Sequence, residues 1–452
     1  MVFGIMVSTK RITYRVNYRR TLMTKMARTV LPFKLAAAEE PMTAQSGLVL
    51  HGEFIQGLGV HRWLEQEMPQ PGSKRGYGAV QHVLPLLLML TGGGRSLEDL
   101  RMVHRDQGLR HLLHLEHLPS TDAAGDWLRR TGEGQGLAGL DRVNCRIVAR
   151  RLRQLKRREY TLDIDATQIV AEKRDAAWTY KGERGYMPMV GHLAEAGVVI
   201  HDDFRAGNIA PASANLDFVK ACEARLPPGY TLTAIRADSA SYQADLFNYC
   251  EQTGKTFAIG GRLDASTLAA IAAIPEAAWT RYADCAVAET VHSMAHTDKA
   301  FRLIVVRHAH QGELLEEDRP RYHVIASNRP GSTADVLVWY RQRGEHSENG
   351  IKELKIGFGM ERMPCGQESA NAAFFRLGVI AHNLFVLFKH SALGEGWQRH
   401  RVATVRWRLF QVPGRLVRHA GAWVLRVAAT VAEDFAAIRS RAYAFIHDPA
   451  PG

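Results

Sequence analysis

Three acidic residues stand where carboxylates can do metal chemistry. Asp165 lies in the alternating stretch Leu162-Asp163-Ile164-Asp165-Ala166-Thr167, Asp238 closes Ile235-Arg236-Ala237-Asp238, and Glu348 opens Glu348-Asn349-Gly350-Ile351-Lys352-Glu353-Leu354-Lys355. Phosphoryl transfer by two Mg²⁺ ions needs a few carboxylates converging on one spot, where the metals clamp the attacking and leaving oxygens of an in-line displacement. Strand ends and a helix are rigid platforms for such a set. Lys352 and Lys355 follow Glu348 at helical spacing, where an ammonium can grip the same phosphate. Singly, each acid reads more readily as a turn or cap residue; the set carries the reading. Asp163 and Asp165 share one face of their strand, so periodicity does not choose between them.

Other spacings are weaker. Cys285, His292 and His296, with His308 and His310, offer zinc-type donors but no fourth ligand at a usual spacing. Gly92-Gly93-Gly94-Arg95 lacks the Lys-Ser/Thr of a phosphate-binding loop. Trp279 has the shape to stack on an extruded base but reads first as a core residue. Asp202 and Asp203 read as capping a turn into Arg205-Ala206-Gly207-Asn208.

The elements that must position the acids can be read along the chain. Tyr160 to Thr167 alternates as a strand, Tyr186–Leu193 and Val198–Asp202 read as a hairpin, Asn215–Leu226 as an amphipathic helix, and Thr231–Ala237 as a strand ending on Asp238. Thr256–Ile259 is the next strand. This order is that of an RNase H-like core, so the expected class is α/β: an RNase H-like mixed-sheet core, a helical N-terminal DNA-binding region, and a β-rich insertion before the helix of Glu348. The expected boundaries are a basic arm at 1–41, the helical region at 42–158, the first part of the core at 159–261, the insertion at 262–328, the second part of the core at 329–390, and a C-terminal region at 391–452. Within that last region Val405, Trp407 and Leu409 alternate with Arg406 and Arg408 ahead of a turn at Pro413-Gly414, a strand-like pattern.

Charge says what such a core would meet. The formal net charge is +12, which suits a partner made of phosphates. The arm carries Lys10, Arg11, Arg15, Arg19, Arg20, Lys25, Arg28 and Lys34 and no acid before Glu39; it reads as a DNA-binding arm, or as sequence ahead of a later start such as Met42. The run Arg142 to Arg158 places Arg150 and Arg151 among cations interleaved with Ile147, Val148, Leu152 and Leu155, one packed face and one positive face suited to DNA. Five scattered cysteines, without a Cys-x-x-Cys pair, fit a reducing cytoplasm. The longest apolar run, Val83 to Leu90, is far short of the about 20 residues a membrane span needs, so no membrane is expected.

Trp339-Tyr340-Arg341-Gln342-Arg343 followed by Glu348 to Lys355 resembles the Tyr-Arg-Glu-Lys signature of bacterial insertion-sequence DDE transposases. With Asp165-Ala166-Thr167, Arg236-Ala237-Asp238-Ser239 and Met363-Pro364-Cys365, the chain is similar to insertion-sequence family thirteen-eighty from about Tyr160 to Leu387. The resemblance implies Asp165, Asp238 and Glu348 as catalytic metal ligands, its Asp-x-Thr match favouring Asp165 over Asp163. It implies Tyr340, Arg343 and Lys355 around phosphates of the transposon end. It further implies two Mg²⁺ ions, with Mn²⁺ as a substitute, cleavage at terminal inverted repeats, and joining to target DNA, with a hairpin intermediate in related families. Double-stranded DNA is the implied partner, held by a homodimer or larger synaptic complex at the bacterial nucleoid. The rival reading is a decayed or domesticated transposase that binds DNA without cutting it; a nuclease on the same fold would cut without joining. Two departures stand out: four residues separate Arg343 from Glu348 where the signature has three, and Gly350 replaces an expected helix former, costing about 1 kcal/mol of propensity.

Overall fold

The computed structural model describes residues 37–72, 76–308, 321–344 and 348–447; most of the basic arm lies outside them. The alternating stretch around Asp165 forms strand β1 (Glu159–Ala166), whose side chains from Tyr160 to Ile164 are buried. β2 (Met189–Leu193) pairs antiparallel with β1, and β3 (Val198–Asp203) antiparallel with β2. The hairpin starts later than expected because Tyr186 belongs to a small three-stranded sheet and Pro188, which lacks an N–H, separates the two. β4 (Thr231–Ala237) runs parallel to β1, and β5 (Thr256–Gly260) parallel to β4.

The expected insertion is joined to this sheet. After a helix at Ala265–Ala272 come β6 (Thr280–Tyr282), β7 (Cys285–His292), β8 (Phe301–His308) and β9 (Arg321–Ser327), and β9 pairs antiparallel with β5. The result is one nine-stranded sheet ordered β6-β7-β8-β9-β5-β4-β1-β2-β3. β8 is buried on both faces: Leu303 and Val305 enter the main sheet core, while Ile304 and Val306 pack with Val336 and Leu337. That explains its unbroken apolar run. Cys285 and His292 sit at opposite ends of β7, and among the described residues no three His, Cys, Asp or Glu are gathered as a metal cluster. Trp279 is half-buried, against Tyr322 and under Arg307 at 4.1 Å.

A helical layer covers the other side. Helices Ser46–Gly57, Ala79–Gly92, Thr121–Glu133 and Gly136–Gln154 share an apolar core with the helix Glu368–Ser391. That last helix is long and apolar enough to cross a bilayer, but 94% of its apolar window is buried in protein, as befits a core helix. Asn383 on it receives the Val199 N–H of β3 at 2.9 Å and donates to Asn144 Oδ1 at 2.7 Å. Arg376 bridges Asp141 and Asp202, so Asp202 is a buried ion-pair partner, and Asp203 pairs with the Arg205 guanidinium. Gly93, at φ +107°, ends the helix before it, which accounts for the glycine-rich stretch.

The strand-like stretch at Val405–Leu409 is helical instead. Residues Val402–Val405 and Arg406–Phe410 wind as consecutive helical turns, the second wider than an α-helix. Val405 and Leu409 are buried four residues apart while Trp407 between them is 78% exposed. The true period is therefore near 3.6, and five residues are too few to tell it from 2. The strand comes after the expected turn, at Gly414–His419.

Candidate active site

β1 and β4 are neighbours in parallel register, Asp163 beside Arg236 and Ile164 beside Ala237. The next residue on each strand is an aspartate, so Asp165 and Asp238 emerge side by side at the carboxyl ends of the two strands. Asp238 also caps the short turn Ser239–Ser241, its carboxylate accepting the Ala240 N–H at 3.0 Å.

The register separates the two aspartates of β1. Asp163 is fully buried and receives two hydrogen bonds from Arg236, at 2.7 and 2.9 Å. Arg236 donates onward to the Trp339 carbonyl at 2.6 Å and lies 5.1 Å from the Trp339 ring. Asp163 and Arg236 thus dock the helix Thr333–Arg343 onto the sheet. Asp165 has no such closed pair.

Ser332 and Asp335 start that helix with reciprocal caps, and Arg343 near its end reaches back toward the acids. Its guanidinium lies 4.0 Å from Asp165 and 3.6 Å from Glu348, and its Nη1 is buried without a hydrogen bond. Gly344 and Glu348 both have the wide winding of a π-turn. Burial pushes the Asp165 carboxyl up to about 6, helped by the charges of Asp238 and Glu348 and opposed by Arg343. Burial would lower the Arg343 guanidinium, but Asp165, Tyr340, Asp238 and Glu348 outweigh it and its pKa rises. Tyr340 is raised by burial and by Asp238 and Glu348, against Arg343.

Lys355 is half-buried and donates to the Gln168 carbonyl at 2.8 Å. Burial lowers its pKa, as does Lys181 nearby, while Glu361 and Asp165 act against that. Gln168, three residues beyond Asp165, was not singled out by the sequence. Its side chain braces the small sheet through Thr179 Oγ1 at 2.9 Å and Glu183 at 3.1 Å. Gly350 also finds a reason: a Cβ there would lie 3.0 Å from Nε2 of His192, a buried side chain of β2. The glycine permits a close approach of helix to sheet.

The basic run on Gly136–Gln154 is largely engaged in the fold. Arg151 is buried, donating to the Ala196 carbonyl at 3.0 Å and to Gln154 at 2.6 Å, so the expected phosphate contact from it is not available in this arrangement. Arg142 and Arg146 both pair with Glu67. Arg150 is half-exposed, over the Phe445 ring at 5.6 Å.

The three acids present only hard oxygen donors, which suit Mg²⁺. The Arg343 guanidinium stands between Asp165 and Glu348, and without a cation the three acids are not drawn together into a closed cluster. Asp165, Asp238 and Glu348 are the residues that would hold a divalent ion.

A family model described as "Transposase DDE domain group 1" matches residues 32–441. No curated protein matches the chain. Among solved structures it is similar to piggyBac transposase in a synaptic complex with hairpin DNA, at 11% identity and a TM-score of 0.44, over 82% of each chain.

Proposed function

Since the chain belongs to the transposase DDE domain group 1 family and is thus a DNA-cleaving and DNA-joining enzyme, we propose that it moves its element by cut-and-paste at terminal inverted repeats, with Asp165, Asp238 and Glu348 as its metal ligands. The run β1-β2-β3, antiparallel, followed by β4 and β5 parallel to β1, has the strand order of an RNase H-like core, the class we assign. The observation that carries the reading is the placement of Asp165 and Asp238 at adjacent parallel strand ends, with Glu348 drawn in by Arg343. Asp165, raised to about 6 by burial and by the charges of Asp238 and Glu348, costs stability unless a cation joins it.

Two Mg²⁺ ions, or Mn²⁺ in their place, would supply the activated water and stabilise the leaving 3′-oxygen. The protein's own groups do the rest. Arg343, whose Nη1 makes no hydrogen bond, is placed to exchange carboxylates for a phosphate of the transposon end. Tyr340 and Lys355 flank it, and the Lys355 ammonium is anchored on the backbone that leaves Asp165. The freed 3′-hydroxyl then attacks target DNA at the same carboxylates. Handling two ends at once calls for a dimer or larger complex.

The test is cleavage of a labelled duplex carrying the inverted repeat that flanks the coding sequence, in Mg²⁺, by wild type and Glu348→Gln. Nicking and joining by wild type, with binding alone by the variant, is the expected result. Binding by both and cutting by neither, in Mg²⁺ or Mn²⁺, would leave a DNA-binding protein and sink the enzymatic reading.

A further inference from the structure

Trp407 is the most exposed of the large apolar side chains among the described residues, and it is not on a loose segment. Arg406 beside it turns inward and donates to the carbonyls of Thr91 and Leu90, at 2.6 and 2.8 Å, at the end of the helix Ala79–Gly92. Val405 and Leu409 anchor the same turns in the core. The indole is therefore held in water by a fixed scaffold.

Its neighbourhood is cationic. Arg399, Arg401 and Arg408 are exposed, and none of them takes part in an ion pair among the described residues. Arg408 lies 5.0 Å from the Trp397 ring and 3.1 Å from His400 Nε2. The segment is also fastened to the stretch that begins at Glu348: Arg401 donates to Asn349 Oδ1 at 2.8 Å, and the Val402 N–H to Glu353 at 2.7 Å.

A rigid exposed indole calls for a flat partner, and arginines without carboxylates call for anions in the same ligand. Nucleic acid with an unpaired base offers both. We propose that residues 397–408 form a second DNA contact, in which Arg399, Arg401 and Arg408 hold phosphates of the strand running past Glu348 and Trp407 stacks on a base outside the duplex. The inference rests on the reading that DNA runs past Glu348. An acidic protein surface would satisfy the arginines but gives the indole no stacking partner.

The experiment is fluorescence anisotropy with the full chain, without divalent metal, on a labelled mixed-sequence duplex that is blunt or carries a short unpaired tail. Wild type binds the tailed duplex more tightly. Trp407→Ala loses roughly tenfold on the tailed duplex, the size of one base–aromatic stack, and stays within about twofold on the blunt one. Trp407→Phe recovers most of the loss. The double variant Arg399→Ala, Arg408→Ala weakens both complexes and flattens the salt dependence by about two phosphate contacts. Equal weakening of both duplexes by Trp407→Ala, or none, overturns the proposal, as does an arginine variant with unchanged DNA affinity. Glu348→Gln keeps the Trp407 effect while losing cleavage. Were wild type unable to cut and the Trp407 effect still present, the enzymatic reading would fail and this contact would stand.

Discussion

Two residues apart on β1, Asp163 and Asp165 face the same way and meet opposite surroundings. Asp163 lies inside the sheet, where the parallel neighbour supplies Arg236 in register and two hydrogen bonds close the pair. Asp165 lies where the strand ends and the neighbour supplies another aspartate. Arg343 approaches it only to 4.0 Å. One charge holds the fold together; the other is only partly compensated, by Arg343, and its carboxyl is raised to about 6. Charges paired inside a protein mark structure, and like charges gathered at its edge mark a site.

The largest effect that would break this comparison is on activity. Asp165→Asn or Glu348→Gln is expected to lower cleavage by about a thousandfold or more, the scale of a lost metal-held transition state, with circular dichroism unchanged. Asp163→Asn should instead act on stability. It strands the buried Arg236 and should cost about 3–5 kcal/mol, read as a lower denaturation midpoint.

Stability of Asp165→Asn should move the other way. The folded carboxyl titrates near 6 against 3.8 for the free residue. Its ionised form therefore destabilises the metal-free fold above pH 6, and the penalty fades as pH falls through 6 toward 4. The variant should gain at most about 3 kcal/mol at pH 7.5 and nothing at pH 4. Buried histidines such as His51, lowered by burial to about 3, lose stability as pH falls below 6.5. The difference between variant and wild type removes their contribution. A gain independent of pH would mean that Asp165 is not the strained group.

Gly350 gives the smallest effect. Helix propensity alone says that Gly350→Ala gains about 1 kcal/mol, but the added Cβ would press on His192, which is buried and has little room to yield. Thermal melts should show no gain for Ala and a clear loss for Gly350→Arg. A stabilised Ala variant would show that the glycine is a defect.

Much of this site was legible in advance. The strands bearing Asp165 and Asp238 are readable from local pattern, and Glu348 from its helical spacing to Lys352 and Lys355 together with the resemblance. The choice between Asp163 and Asp165 was not legible from periodicity, because it depends on register. Yet Asp163 stands two residues before Asp165, as Arg236 does before Asp238, and in-register parallel strands must then pair the inner acid with the arginine. Arg151 lies inside because a basic residue on an amphipathic helix can turn its long side chain inward to carbonyls that sequence does not show. The β-rich character of 262–328 is readable, but β6, β7 and the attachment of β9 to β5, a long-range pairing, leave no local signal.

The most direct test is Mn²⁺ binding, measured as the shift in melting temperature of wild type, Asp163→Asn, Asp165→Asn and Asp238→Asn. We expect the shift in wild type and, from a lower starting point, in Asp163→Asn, and its loss in Asp165→Asn and Asp238→Asn. A shift that survives in Asp165→Asn but vanishes in Asp163→Asn would contradict the account, because the paired aspartate, and not the acids at the strand ends, would then hold the metal.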